Sequence, residues 1–228
     1  VTEEKAVEGE VTLSYYCVYL FDFDYTLADP ERAVIACYRD VLDRHGHTSA
    51  SDDDICRTVG YPVTDSFTML TGITDDVTLR QYYKEFRNKA DEVMAAYTAL
   101  YPETIPVFRG LRVRGIKTGI ISTKFRYRIE DILERHSASG LADLIIGGED
   151  VIRPKPDPQG IFLAIERLGA QKTDVLYIGD SLVDANAAKN AGVDFAAVTT
   201  GTTTAEDFAG LPYVRIMKDL NELMQGAV

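Results

Sequence analysis

Apolar residues along the chain fall into two patterns. Five segments hold continuous apolar runs that stop at small or acidic residues: "YYCVYLFDFD" (15–24), "KTGIIST" (117–123), "ADLIIGGED" (142–150), "VLYIGDS" (175–181) and "DFAAVTTG" (194–201). Continuous rather than alternating hydrophobicity predicts strands covered on both faces, as in a parallel sheet. Helix-length stretches separate the last four. In "DPQGIFLAIERLG" (157–169), Asp157 is the expected N-cap and Pro158 the first turn; Ile161, Phe162, Ile165 and Leu168 form one stripe, and Gly169 is the stop. "DANAAKNAG" likewise ends at Gly192. Strand alternating with helix predicts an α/β class chain, a doubly wound parallel sheet with right-handed crossovers.

The first two strands break that rhythm. Roughly 90 residues lie between them, too many for one crossover, and they read as helices throughout. Asp29 caps and Pro30 starts "PERAVIACYRDVLDRHG", Ser51 opens "DDDICRTV", and "DDVTLRQYYKEFRNKADEVMAAYTALY" is the longest amphipathic stretch. A further helix near 104–114 leads into the second strand. The chain is therefore divided into a sheet core, residues 13–29 and 101–228, and an inserted all-helical domain, residues 30–100.

Composition narrows the class. With 228 residues, 46% of them hydrophobic, core material is ample. The longest apolar run, "YYCVYLF", is far short of a membrane span, and the reading is soluble and cytoplasmic, with no membrane partner. Three cysteines, Cys17, Cys37 and Cys56, cannot all pair and read as reduced thiols. A net charge of −12 repels nucleic acid at long range but leaves room for a small phosphorylated substrate, since a metal and a few cations reverse the sign of a pocket. The acidic residues 1–12 read as a mobile arm or peripheral extension.

Within this frame, "FDFDYTL" draws attention because Asp22 and Asp24 must repel each other. With 22 aspartates in 228 residues, about two Asp-x-Asp pairs are expected by chance and two occur, so the pair by itself says nothing. Its partners do. The carboxyl ends of parallel strands converge on one crevice. They carry, in order, Asp22 and Asp24, Ser122, Lys155 in "RPKPDP", and Asp180 and Asp184 in "GDSLVD". Carboxylates crowded around one point need a cation, and an oxygen-rich set beside a phosphate suits Mg²⁺. A lysine and a hydroxyl are suited to phosphoryl oxygens.

From residue 16 to about 225, the chain resembles the haloacid dehalogenase-like superfamily, in its capped, phosphoglycolate phosphatase-like branch. The resemblance rests on Asp22-Phe23-Asp24-Tyr25-Thr26-Leu27, Ser122 after "GII", Lys155 with Pro156 and Pro158, and Gly179-Asp180-Ser181 with Asp184. It implies a Rossmann-like core and an Mg²⁺-dependent phosphatase acting on a small phosphorylated metabolite. Asp22 would be the nucleophile that becomes an aspartyl phosphate, and Asp24 the general acid and then base. Asp180, Asp22 and the Asp24 carbonyl would bind the metal, with Asp184 acting through water. Ser122 and Lys155 would hold phosphoryl oxygens. Repulsion within the Asp22/Asp24 pair then favours keeping one proton on the second acid. Halide-displacing members lack that second acid, so Asp24 favours phosphate chemistry. The chain departs from the common pattern at Tyr25, where Gly is usual and a tyrosine could narrow the pocket, and at Thr123-Lys124, where Asn-Lys is usual.

Other features are open to two readings. In the helical insertion, "VGYPVTDSF" resembles phosphoglycolate phosphatase caps, and Arg57 is either a substrate contact or a solvated surface residue. Thr123 and Lys124 are further substrate-binding candidates. "KFRYR" (124–128) is either an anion site or an exposed basic patch. His45 and His47 read as a helix end rather than a metal site, Asp52–Asp54 as helix-start acids, and the tyrosines of "QYY" and "AAY" as core. The rival functions are a phosphomutase of the β-phosphoglucomutase type and a noncatalytic phospho-ligand sensor.

Overall fold

The computed structural model describes residues 16–224; the expected arm at 1–12 and residues 13–15 lie outside the described residues. In chain order the elements begin with β1 (Val18–Phe21), β2 (Ala28–Asp29), α1 (Glu31–Arg44), α2 (Asp52–Cys56), α3 (Val63–Thr71), α4 (Asp76–Tyr97) and β3 (Ala99–Leu100). They continue with α5 (Thr104–Val113), β4 (Lys117–Ile121), α6 (Arg126–Arg135), β5 (Leu144–Ile146), α7 (Gln159–Leu168), β6 (Val175–Gly179), α8 (Leu182–Ala191), β7 (Asp194–Val198) and β8 (Arg215–Met217).

Six strands form one parallel sheet in the order β5-β4-β1-β6-β7-β8. Helices cover both faces, giving an α/β, Rossmann-like core. Alternation along β1 shows why its apolar run is unbroken. Tyr19 and Phe21 join one buried cluster, where Phe21 meets Phe108 of α5 at 4.7 Å between ring centres, while Val18 and Leu20 join a second cluster with Ile161 and Leu168 of α7. Register then sets the crevice. Phe21 pairs with Ile120 on one side and Ile178 on the other, so Asp22, Ser122 and Asp180 all emerge just beyond the sheet.

Three short strands escaped the sequence pattern. The sixth strand, β8, is three residues long and only partly buried, too short to show a period. β2 and β3 pair antiparallel, Ala28 with Leu100 and Asp29 with Ala99, and so bring together the two ends of the helical segment. Caps fall close to expectation: Asp29 Oδ1 accepts from the Glu31 amide at 2.9 Å, and Asp157 Oδ1 from the Gln159 amide at 3.0 Å. Gly169 and Gly192 end α7 and α8 in the left-handed conformation. Phe162 is a correction. It is 39% exposed under the Lys172 ammonium, and the buried stripe of α7 runs instead through Ile161, Ala164 and Leu168.

α1, α3 and α4 pack around Tyr38, Phe67 and Phe86, with Tyr38 5.0 and 4.7 Å from the other two rings. Tyr82 is buried beside them, whereas Tyr83 faces a cavity. His45 ends α1, 3.0 Å from Glu85, and His47 lies 2.8 Å from the Tyr82 hydroxyl. Asp54 forms a capping box with Ser51 at the start of α2. The cysteines are free, Cys17 exposed and Cys37 and Cys56 buried. Among the described residues no helix is long and apolar enough to cross a membrane.

Candidate active site

The crevice gathers residues from four parts of the chain. Lys155 sends its ammonium to Asp22 Oδ1 at 2.7 Å and to Asp184 Oδ1 at 2.6 Å, with all three side chains buried. Asp22, Asp180 and Asp184 each offer an oxygen within 4.8 Å of the others. Three buried carboxylates therefore cluster around one ammonium that two of them contact. Burial and the Asp184 charge raise the Asp22 pKa to about 7, against the pull of Lys155. Burial, Asp184 and Asp22 hold Asp180 well above the ordinary carboxylate range. On Lys155 burial works against the charge, but Asp184 and Asp22 outweigh it and keep the ammonium well above its ordinary value.

This donor set fits a divalent cation. The oxygens are hard ligands, and protonation of Asp22 and Asp180 relieves the same excess charge that a cation would neutralise. Asp180 is held by the Thr26 hydroxyl at 3.2 Å, and a Cβ placed on Gly201 would lie 2.2 Å from Asp180 Oδ2. The backbone at residue 201 thus presses against the carboxylate.

Asp184 is fully buried. It lies in the cluster, but its oxygens already accept from Lys155, Tyr177 at 2.9 Å, and the amide and hydroxyl of Ser181, where it closes the capping box of α8. These bonds fix Asp184 beside Lys155 while leaving it in the carboxylate cluster with Asp22 and Asp180. Gly179 permits this approach, since a Cβ there would fall 2.5 Å from Asp184 Cγ.

Asp24 faces a different space. Its Oδ1 lies 3.0 Å from the Lys124 ammonium, but at an angle that makes no hydrogen bond, so this buried oxygen has a charge partner and no aligned donor. The Lys124 ammonium also reaches Met94 Sδ at 3.2 Å, and the Lys124 amide donates to the Ser122 hydroxyl at 3.1 Å. Asp24, Thr123 and Lys124 border a cavity of about 260 Å³ whose other walls come from the helical insertion and the segment 148–154.

Other candidates lie elsewhere. Tyr25 has φ +59, the conformation that explains why Gly is usual there, and its buried hydroxyl meets Cys56 rather than narrowing the cavity. Arg57 does not enter the crevice: it is exposed, paired with Asp54 at 3.3 Å, and borders a separate hollow with Ser49 and Met69. The "KFRYR" cations each have a carboxylate partner rather than forming a free basic patch. Lys124 pairs with Asp24, Arg126 with Asp150, and Arg128 with Asp91 on α4 at 2.6 Å.

A family model described as haloacid dehalogenase-like hydrolase matches residues 19–198, which include Asp22, Asp24, Ser122, Lys155, Asp180 and Asp184. The chain belongs to that family. Pyrophosphatase PpaX of Bacillus velezensis is 28% identical over 90% of this chain and 93% of its own length. A phosphoglycolate phosphatase of Aquifex aeolicus is 29% identical over 81% of this chain and 85% of its own. A solved structure from Bacteroides fragilis, described as a haloacid dehalogenase-like hydrolase, superposes with a TM-score of 0.90 at 52% identity, covering 91% of this chain and 99% of that one.

Thr26 is part of the first motif but carries no assigned role in the sequence, and Tyr177 and Gly201 are not singled out there. Tyr177 sits inside an apolar strand run, where its hydroxyl gives no sign of its partner. In this haloacid dehalogenase-like hydrolase, Gly201→Ala is expected to push Asp180 out of place and weaken divalent-cation affinity by about 10-fold or more, measured by titration calorimetry. Unchanged affinity would show that residue 201 does not set the position of Asp180.

Proposed function

We propose that this hydrolase is an Mg²⁺-dependent phosphatase that transfers the phosphoryl group of a small phosphorylated metabolite to Asp22 and then to water. The observation that carries the reading is the 2.7 Å contact between Asp22 and Lys155 in the same buried cluster as Asp180, next to Asp24 at the floor of a cavity.

An Asp22 oxygen attacks phosphorus as the bond to the leaving oxygen breaks, and Asp24, on the cavity side, gives that oxygen its proton. Asp24 then takes a proton from the water whose oxygen attacks the aspartyl phosphate, releasing phosphate and restoring Asp22. Lys155, held in line by Asp184, and the Ser122 hydroxyl donate to phosphoryl oxygens as charge builds there. Asp22, Asp180 and the Asp24 carbonyl would hold Mg²⁺, which supplies charge neutralisation for the phosphoryl group. Thr123 and Lys124 meet the substrate beyond Asp24; Arg57 is withdrawn from that role.

The division into a catalytic core (13–29, 101–228) and a helical cap (30–100) is part of this reading, supported by the β2–β3 pairing at its boundary. A screen of phosphoglycolate, pyrophosphate, nucleoside monophosphates and sugar phosphates with Mg²⁺, reading free phosphate, tests the activity. Phosphoryl return to a sugar without phosphate release would favour the mutase, and no turnover of any ester the sensor.

Metal binding should depend on pH with a definite sign. Asp22 goes from an ordinary 3.8 to about 7 on folding, so its stabilising share is complete below 3.8 and lost as pH rises through about 7. Mg²⁺ competes with those protons. The Mg²⁺-induced rise in Tm is therefore expected to be larger at about pH 8 than at about pH 5.5. A rise that is equal at both, measured by calorimetry, would remove Asp22 and Asp180 from the metal site.

A further inference from the structure

Building on the phosphatase reading, we infer that the natural substrate is an organic phosphate monoester whose leaving alcohol carries a planar ring. The cavity begins at Asp24, the group that protonates the leaving oxygen, so whatever departs from phosphorus occupies it. Its walls are aromatic. Tyr61, Tyr83, Phe86 and Phe125 border it, with Met94 adding a thioether.

Size points the same way. A dry apolar cavity of about 150 Å³ already holds benzene in another protein. The space here is about 260 Å³, more than an inorganic phosphate or a two-carbon acid fills.

Most of the charge at the cavity is already paired. Three cations border the cavity, but two are engaged: Lys124 lies 3.0 Å from Asp24, and Arg128 binds Asp91 at 2.6 Å and the Arg87 carbonyl at 3.1 Å. The third, Arg87, lies over the Phe125 ring on the exposed rim. Among the described residues Arg87 is thus the one cavity cation without a carboxylate partner, and the aromatic walls outnumber it.

The rim itself leaves apolar surface in water. Tyr61 is 39% exposed and Ile152 87% exposed, one from the helical insertion and one from the segment after β5. Tyr61 belongs to the loop whose residues 58–64 all line the cavity. That loop also touches the core motif: Gly60, at φ +97, is placed so that a Cβ would lie 3.7 Å from the Ser181 hydroxyl beside Asp180. One loop thus spans the leaving-group space and the phosphoryl end.

The test compares benzyl, cyclohexylmethyl and ethyl phosphate, whose leaving alcohols are of similar acidity, with phosphoglycolate and pyrophosphate. The wild-type chain with Mg²⁺ is expected to show a kcat/KM for benzyl phosphate at least about 10-fold above each of the others. Tyr61→Ala, at a half-exposed site that does not threaten the fold, should lower the benzyl-to-ethyl ratio by about 3- to 10-fold. Equal or better turnover of any other member overturns the inference, as does an unchanged ratio in Tyr61→Ala. If no ester releases phosphate, the phosphatase reading fails instead, and calorimetric binding of the same panel to the wild-type chain decides the inference. Tighter binding of benzyl phosphate than of phosphoglycolate then supports it, and the reverse overturns it.

Discussion

Asp22→Asn is expected to lower phosphatase turnover by at least about 10⁴-fold while leaving the metal-free fold no less stable near pH 8. Asparagine matches the shape of the carboxylate but cannot form the aspartyl phosphate. Its effect on stability follows from the burial of Asp22 beside Asp184, which makes its negative charge unfavourable, with a pKa near 7. Above that pH the wild-type chain holds a strained anion, and the amide does not. Lys155 keeps Asp184 at 2.6 Å in either case. Turnover assays paired with thermal melts separate lost chemistry from lost structure. Retained activity, or a collapse of the fold, would contradict the role given to Asp22.

Lys155→Met should be the most destabilising single change at the site. The ammonium is buried between Asp22 and Asp184, and its removal leaves buried carboxylates without their cation. Breaking such an arrangement costs about 3–5 kcal/mol. The loss should shrink at about pH 5, because carboxylates freed from the ammonium bind protons more readily and shed their charge. Urea denaturation at about pH 7.5 and pH 5 measures both parts. Turnover should also fall by about 10²–10³-fold, as for other preorganised donors. A variant of wild-type stability at the higher pH would mean that the cluster does not depend on Lys155.

Much of this arrangement was legible because strand ends announce themselves. A continuous apolar run that stops at aspartate or serine marks both a buried strand and the place where its last side chain enters the crevice. Asp22, Ser122 and Asp180 are legible that way, and β1 pairing with β4 and β6 puts them within one residue of the same level. Side-chain partners were not legible. Asp184 has the spacing of a metal residue, but its bonds to Ser181 in the first turn of α8, and to Tyr177 and Lys155, are not written in that spacing. Arg57 sits near the right loop, but the turn of α2 aims it at Asp54 and solvent. The cations of "KFRYR" look like one cluster in sequence and separate in space to three carboxylates, two on the core and one on α4. The cavity was the least visible feature, because its aromatic walls combine residues 58–64, α4 and the segment after β4, and no single stretch carries that pattern.

The claim on which the rest depends is that the phosphoryl group passes through the Asp22 carboxylate. Acid-quenching the enzyme during turnover with Mg²⁺ and a phosphate ester, then mapping the modified peptide by mass spectrometry, tests it most directly. One phosphoryl group on Asp22, absent from Asp22→Asn, is the expected result; a phosphoryl group on another residue, or turnover with none on the protein, would contradict it.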